Sequence, residues 1–241
     1  MPRYTVSLEA RETLCSGTTA FYFEKPEGFK FEAGQFANFT LLTPSGSDLK
    51  GHTRAFSIAS APHERTLMVA TRLRATDFKR TLNSLPIGAE LHLQGPYGSM
   101  TLPKDGARTV VLLAGGIGIT PFRSLIWNAT ESLSPCRIFL FYSVRVPEEA
   151  AFLEELQEME KYNKRYKLIC TVTQPERVRT PWWGETGRIS PEMLSKWIPD
   201  IKVPIYYIAG PRGMVHGTRQ MLMDSGISEG NIHAEEFAGY E

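Results

Sequence analysis

The sequence predicts two domains: an N-terminal antiparallel β-barrel over residues 1–103, and a C-terminal α/β domain, a doubly wound parallel sheet, over residues 104–241. Three observations predict it. Up to about residue 103, short runs rich in β-branched and aromatic residues are separated by turn clusters. At 102–106, "LPKDG" brings Pro, Gly and charge together, the composition of a linker. Beyond it, strand-like and helix-like stretches alternate, which is the rhythm of a parallel sheet with crossover helices.

In the first half, "TAFYFEKPEGFKF", "GQFANFTLLTPSG", "RAFSIASAP", "TLMVATRL" and "AELHLQGPYG" read as strands, spaced as in a small antiparallel barrel. One stretch, "TDFKRTLNSL", has helical spacing: Phe78 and Leu82 are four apart and Leu85 follows by three. "GPYG" is expected to turn the barrel wall. In the second half, "RTVVLLA" is a continuous apolar run, as in a strand buried on both faces. "TPFRSLIWNATESL" follows with helical spacing, then the strand "RIFLFYSV". "PEEAAFLEELQEMEKY" is predicted helical, with Leu153, Leu156 and Met159 on one stripe and Glu148 and Glu149 in its first turn. "YKLICTVTQ" and "PIYYIAG" are further strands, and "SPEMLSKWI" offers Ser190 as N-cap with Pro191 at the first helical position.

Composition removes several function classes. Lys and Arg total 27 against 26 acids, so the net +1 gives no electrostatic case for nucleic acid. Cys15, Cys136 and Cys170 include no C-x-x-C pair, and the five histidines show neither H-x-x-x-H nor H-E-x-x-H spacing, so no metal site is expected. There is no G-x-S-x-G elbow of a hydrolase. No run approaches a membrane span and no signal peptide is visible, so a reducing, cytoplasmic location is expected.

"LLAGGIGITPFRSL", residues 112–125, closes an apolar run with three glycines in four positions. The first amides of a helix have no intrahelical partner and sit at its positive dipole end, which suits a phosphate. Gly115, Gly116 and Gly118 let backbone approach a pyrophosphate without Cβ obstruction. Thr120 is expected to cap the helix and Pro121 to be its first residue, where a missing amide hydrogen costs nothing. Alone, such a turn is equally a purely structural one. The pair Trp182–Trp183 is expected in a loop covering the sheet edge.

In chain order, "RAFSIAS" (54–60), "LQGPYG" (93–98), "AGGIGITPFRS" (114–124), "YIAGPRGM" (207–214) and "EEF" (235–237) together resemble the ferredoxin–NADP reductase superfamily across nearly the whole chain. The resemblance implies FAD in the barrel domain and NADH or NADPH in the α/β domain, with the nicotinamide meeting the isoalloxazine between them. It makes Arg54 the partner of the flavin pyrophosphate and gives Phe56, in place of the usual Tyr, a ring to stack. Ser57 falls where the family has a hydroxyl near the flavin N5, and Thr71 and Arg72 fall beside the isoalloxazine. Thr76 would bind pyrophosphate at a helix start. Gly210 and Pro211 would pass the nicotinamide, with Ala209 at a position where the family has Cys. Glu235 would be the active-site carboxylate and Phe237 the ring covering the flavin, a gate that moves for the nicotinamide. The same residues also suit a last edge strand with exposed acids and a core Phe.

The nicotinamide choice stays open. Ser143 and Arg145, after the second strand, favour a 2′-phosphate, whereas Thr173–Gln174 after the third resemble NADH-using or dual-specificity members. For the acceptor, the resemblance implies a separate one-electron carrier: ferredoxin, flavodoxin or an oxygenase component. A free-flavin, ferric or quinone reductase is an alternative, as is a non-catalytic nucleotide-sensing or docking subunit.

Overall fold

The computed structural model describes residues 2–42, 52–74, 76–104 and 106–237. The end of the run "GQFANFTLLTPSG" and the terminal "AGYE" lie outside the described residues. Six antiparallel strands make the first half: β1 (Arg3–Cys15), β2 (Thr18–Glu24), β3 (Phe36–Leu41), β4 (Thr53–Ser57), β5 (Thr66–Arg72) and β6 (Glu90–Tyr97), ordered β4-β3-β6-β1-β2-β5. Val6 and Leu8 of β1, Phe21 and Phe23 of β2, Phe39 of β3, Phe56 of β4 and Leu91 and Leu93 of β6 share one core, so the sheet curls around its apolar face. Helix α1 (Asp77–Ser84) drops Phe78 and Leu82 into that core. β1 was not foreseen. Its inward residues Tyr4, Val6 and Leu8 alternate with polar or charged neighbours, the pattern of a strand wet on one side.

Six parallel strands make the second half: β7 (Thr109–Gly115), β8 (Arg137–Val144), β9 (Tyr166–Val172), the two-residue β10 (Glu185–Thr186), β11 (Ile205–Pro211) and β12 (Ile232–Phe237), ordered β10-β9-β8-β7-β11-β12. Alternate residues of β7 serve the two faces. Val110, Leu112 and Ala114 pack with α2 (Ile119–Glu131) and α3 (Leu153–Tyr162), while Val111 and Leu113 pack with α4 (Pro191–Ser195) and α5 (Arg212–Asp224). The chain leaves β7 for β8 on one side and returns as β11 on the other. That reversal opens a crevice at the carboxyl ends of β7 and β11.

Several helix starts differ from expectation. A 3₁₀ turn, Gly116–Gly118, runs straight into α2, so the helix begins before Thr120. The Thr120 hydroxyl donates to the Ile117 carbonyl at 3.1 Å instead of capping an amide. Pro121 is the third helical residue, still within the turn whose amides need no partner. α3 starts only at Leu153. Pro147–Glu149 form a separate 3₁₀ turn, and Phe152 at φ 61 breaks the continuity. Ser190 does cap α4, accepting from the Met193 amide at 3.3 Å. α5 was not foreseen, because Gly213 and Gly217 interrupt its pattern; Val215, Thr218 and Leu222 hold it to the sheet.

The two halves are joined through α2. Arg123, 5% exposed, donates to Glu64 Oε2 at 2.9 Å, to the Ala59 carbonyl at 3.0 Å and to Glu155 at 2.9 Å. Its guanidinium also lies 4.5 Å from the Trp127 ring. Beside it, Ser124 donates to the Ser60 carbonyl at 2.7 Å. The barrel loop after β4 is thereby fixed to the helix that follows the glycine turn.

Candidate functional site

The crevice at the ends of β7 and β11 opens into a cleft of about 820 Å³. Gly115, Gly116, Ser143, Arg145 and Pro211 line it from the parallel sheet side, and Arg72 reaches it from the barrel. Gly118 lies beneath: a Cβ there would collide with the Ala209 carbonyl, and one on Gly115 would meet Met214 Sδ at 2.8 Å. The glycines thus let three backbone segments meet, and Gly116, at φ +52 with nothing within 4 Å of its Cβ position, leaves its turn open.

At the seam, parallel pairing sets Glu235 of β12 beside Ala209 of β11 and Phe237 beside Pro211. The Glu235 carboxyl faces Ser57 at the end of β4 and Gly98 just after β6. Burial pushes this carboxyl up to about 7, while the Ser57 hydroxyl favours its charged form. Its Oε2 is buried with no hydrogen-bond partner among the described residues. An orphaned, titratable carboxylate at the meeting of both halves is expensive to bury, which marks a place built for something other than stability.

A second constellation surrounds the start of α1. Thr76 caps the helix, accepting from the Lys79 amide at 3.4 Å. Arg54 lies 5.6 Å from the Phe78 ring. Lys79 is buried, and its ammonium donates to the Arg72 carbonyl at 3.0 Å. Burial first, then the charges of Arg74 and Arg54, pull Lys79 down to about 8. Positive charge is therefore concentrated at a capped helix N-terminus.

The structure brings Gly115, Gly116, Ser143, Arg145 and Pro211 into one cleft, and Ser57 and Glu235 into one contact. Other assignments fall elsewhere: Gly118, Thr120 and Pro121 are buried behind the glycine turn and do not line the cleft. The Phe56 ring packs in the barrel core, 5.9 Å from Phe39 and 5.8 Å from Phe78, and is 8% exposed; alternation along β4 turns it inward with Arg54. Thr71 is fully buried, its hydroxyl donating to the Arg72 carbonyl at 3.4 Å, so only its backbone can border a ligand. Trp182 is half-buried, its indole donating to the Glu185 carbonyl at 2.8 Å, but Trp183 is 93% exposed and covers nothing.

Sequence reasoning missed Arg74, Lys79, Glu149 and Arg188. The first two were signalled by the density of cations around Thr76 in "RLRATDFKR". Glu149 follows the second strand, where an acid can serve the ribose, but after Pro147 it reads equally as an ordinary acid at a helix start. It instead pairs with Arg72 across the seam and with Arg145 at 2.9 Å. Two guanidiniums outweigh its burial and hold its carboxyl below the usual carboxylate range. Arg188 lines the same cleft from beyond β10.

Known proteins share this architecture. The oxidoreductase NAD-binding domain family matches residues 112–220. The glycine betaine monooxygenase reductase subunit of Chromohalobacter salexigens is 26% identical over 231 residues, 94% of this chain and 61% of that protein. Ferredoxin–NADP reductase B of Sorangium cellulosum is 28% identical over 225 residues, 89% of each chain. Among solved structures, a ferredoxin NADP+ reductase from Neisseria gonorrhoeae with bound FAD and NADP superposes with a TM-score of 0.80 at 23% identity, over 97% of this chain and 98% of that one. The chain thus spans about three fifths of one such relative and nearly all of others. An antiparallel barrel joined to a parallel sheet, a glycine turn at the switch point and these matches point the same way: residues 112–220 carry an oxidoreductase NAD-binding domain, and nearly the whole chain is similar to ferredoxin–NADP reductases.

Proposed function

We propose that this chain takes a hydride from NAD(P)H onto FAD and passes electrons to a separate one-electron carrier, such as ferredoxin, flavodoxin or an oxygenase component. The observation that carries the reading is the convergence of Ser57, Glu235 and Ala209–Pro211 with the cleft at Gly115–Gly116. The division at 103/104 belongs to the same reading and falls between β6 and β7.

The residues present fit FAD. A diphosphate would offset the repulsion from Arg74 and Arg54 that adds to burial in lowering Lys79, and Arg54, Arg74 and Lys79 surround the capped start of α1 that would receive it. Glu235 Oε2, without a partner, offers a proton-holding group beside Ser57. When bound, a flavin accepts two electrons with a hydride and releases electrons singly, which a nicotinamide does poorly. Around it, Ser57 would orient the reacting edge and Glu235 would hold a proton at Oε2 near neutral pH. Phe237, half-buried at the end of β12, would shield the face that the nicotinamide must reach. Gly115 and Gly116 would receive the dinucleotide pyrophosphate in the cleft.

No helix among the described residues is long and apolar enough to cross a membrane. The test is an anaerobic titration of the purified protein with NADH and with NADPH, followed by oxidised ferredoxin or flavodoxin. Stoichiometric flavin that bleaches with a nicotinamide and recovers with a carrier protein is the expected result. Protein lacking flavin, or recovery only with free flavin, ferric chelates or quinones, would replace the reading.

A further inference from the structure

Glu149 lines the cleft beside the end of β8 and is tied to both halves of the molecule. It follows β8, the second strand of the parallel sheet, whose end places Ser143, Val144 and Arg145 in the cleft, and Glu149 lines that cleft with them. Dinucleotide folds engage the adenosine ribose with an acid near the end of the second strand, and Glu149, five residues beyond β8 in the turn Pro147–Glu149, reaches the cleft from there. Both guanidiniums that hold Glu149 use the same oxygen: Arg72 and Arg145 each donate to Oε2, and Oε1 takes no hydrogen bond among the described residues. One carboxylate oxygen is therefore anchored from both halves of the molecule and the other is left for a donor. Arg145, meanwhile, spends its Nε–H on Glu149 at 2.9 Å. With Nε so used, only the Nη edge of its guanidinium is left for a phosphate.

We propose that Glu149 makes the chain selective for NADH over NADPH: Oε1 accepts a hydroxyl of the adenosine ribose, and a 2′-phosphate in its place meets a carboxylate. The inference rests on the reading of the cleft as the dinucleotide site. The carboxyl stays charged across the working range, because the arginines on Oε2 hold it low. Arg188 also lines the cleft, but it is exposed. Solvent and salt screen its attraction for a phosphate more than they screen the repulsion from Glu149, whose side chain is 15% exposed.

Calorimetry on the full chain with 5′-AMP and 2′,5′-ADP tests this without catalysis, and kcat/KM for NADH and NADPH tests it with catalysis. The wild type should bind 5′-AMP more tightly and prefer NADH. Glu149→Gln should shift both ratios toward the 2′-phosphorylated compound by about tenfold or more, while Glu149→Asp, which keeps the charge, should retain the wild-type preference. A wild type that prefers NADPH, or unchanged ratios in Glu149→Gln, would overturn the inference and leave the dinucleotide site standing. Binding of neither fragment would overturn the site and the inference together. Should Glu149→Gln fail to fold, the same ratios measured for Glu149→Ala, which also removes the charge, decide the matter.

Discussion

Arg123 of α2 and Glu64 of the barrel face each other across the seam, Nη1 to Oε2 at 2.9 Å and Nη2 to Oε1 at 3.3 Å. The same guanidinium holds Glu155 and the Ala59 carbonyl, so a single side chain aligns the glycine turn with the loop after Ser57. Replacing it leaves partly buried acceptors without their donor. Arg123→Met is expected to cost about 2–4 kcal/mol in chemical denaturation. At full nicotinamide saturation it should also weaken the long-wavelength charge-transfer absorbance of the stacked rings, which lost stability alone would not do.

Arg54→Ala removes one of the cations gathered at the start of α1. The expected outcome is at least about tenfold weaker flavin binding with the fold retained. Flavin content after gel filtration, read beside far-UV circular dichroism, checks it. Full flavin occupancy in this variant would move the pyrophosphate site elsewhere.

Glu235 gives a pH signature with a defined sign. Its carboxyl is raised to about 7 in the folded protein, against an ordinary value of 4.5. The folded state therefore holds the proton more tightly than the unfolded one. This contribution is complete below pH 4.5 and is lost as pH rises through about 7. Over that window wild-type stability should decline by on the order of 3 kcal/mol relative to Glu235→Gln. Denaturation midpoints of both proteins at pH 5 and pH 8 measure the difference. The Gln variant should also keep its flavin, reduce more slowly, and lose the inflection near neutral pH in the reduction rate.

Gly118→Ala would push a methyl into the Ala209 carbonyl, which is backbone and cannot step aside. A loss of about 1–3 kcal/mol is expected from such overpacking, visible as a lower melting temperature. Gly116→Ala places its methyl in open space but keeps φ at +52, a strained value for alanine. It should fold while weakening dinucleotide binding more than it weakens the fold.

The parallel sheet was legible in the sequence because strands buried on both faces read as continuous apolar runs, as Val110–Ala114 does. β1 was not, since only every second residue is buried and the others are polar or charged. At the site, the glycines were readable as a strand–turn–helix; Ser57 and Glu235 were each marked only by the resemblance, and their contact comes from strand ends far apart in sequence. Thr120 was misplaced because nothing local distinguishes a capped helix from one continuing out of a 3₁₀ turn. Glu149 was misread for a different reason: its partner Arg72 lies 77 residues away in the barrel, beyond any local rule. Phe56 turned inward because Phe39 and Phe78 were there to receive it, a contact that no spacing within "RAFS" reveals.

Strand β12 bonds to β11 alone, and its side chains alternate between the seam and the face that carries α5. The carboxylate at the seam is chosen by counting from Ile232, the first rung of that ladder. Deleting a single residue from the turn Glu229–Asn231 need not unfold anything. If the ladder advanced by one, Glu236 would take the place beside Ala209 and Glu235 would turn away. An acid would still stand there, but its neighbour would no longer be Phe237 at the next outward step. The chemistry of the seam is thus written in the length of a surface turn as much as in the identity of the acid.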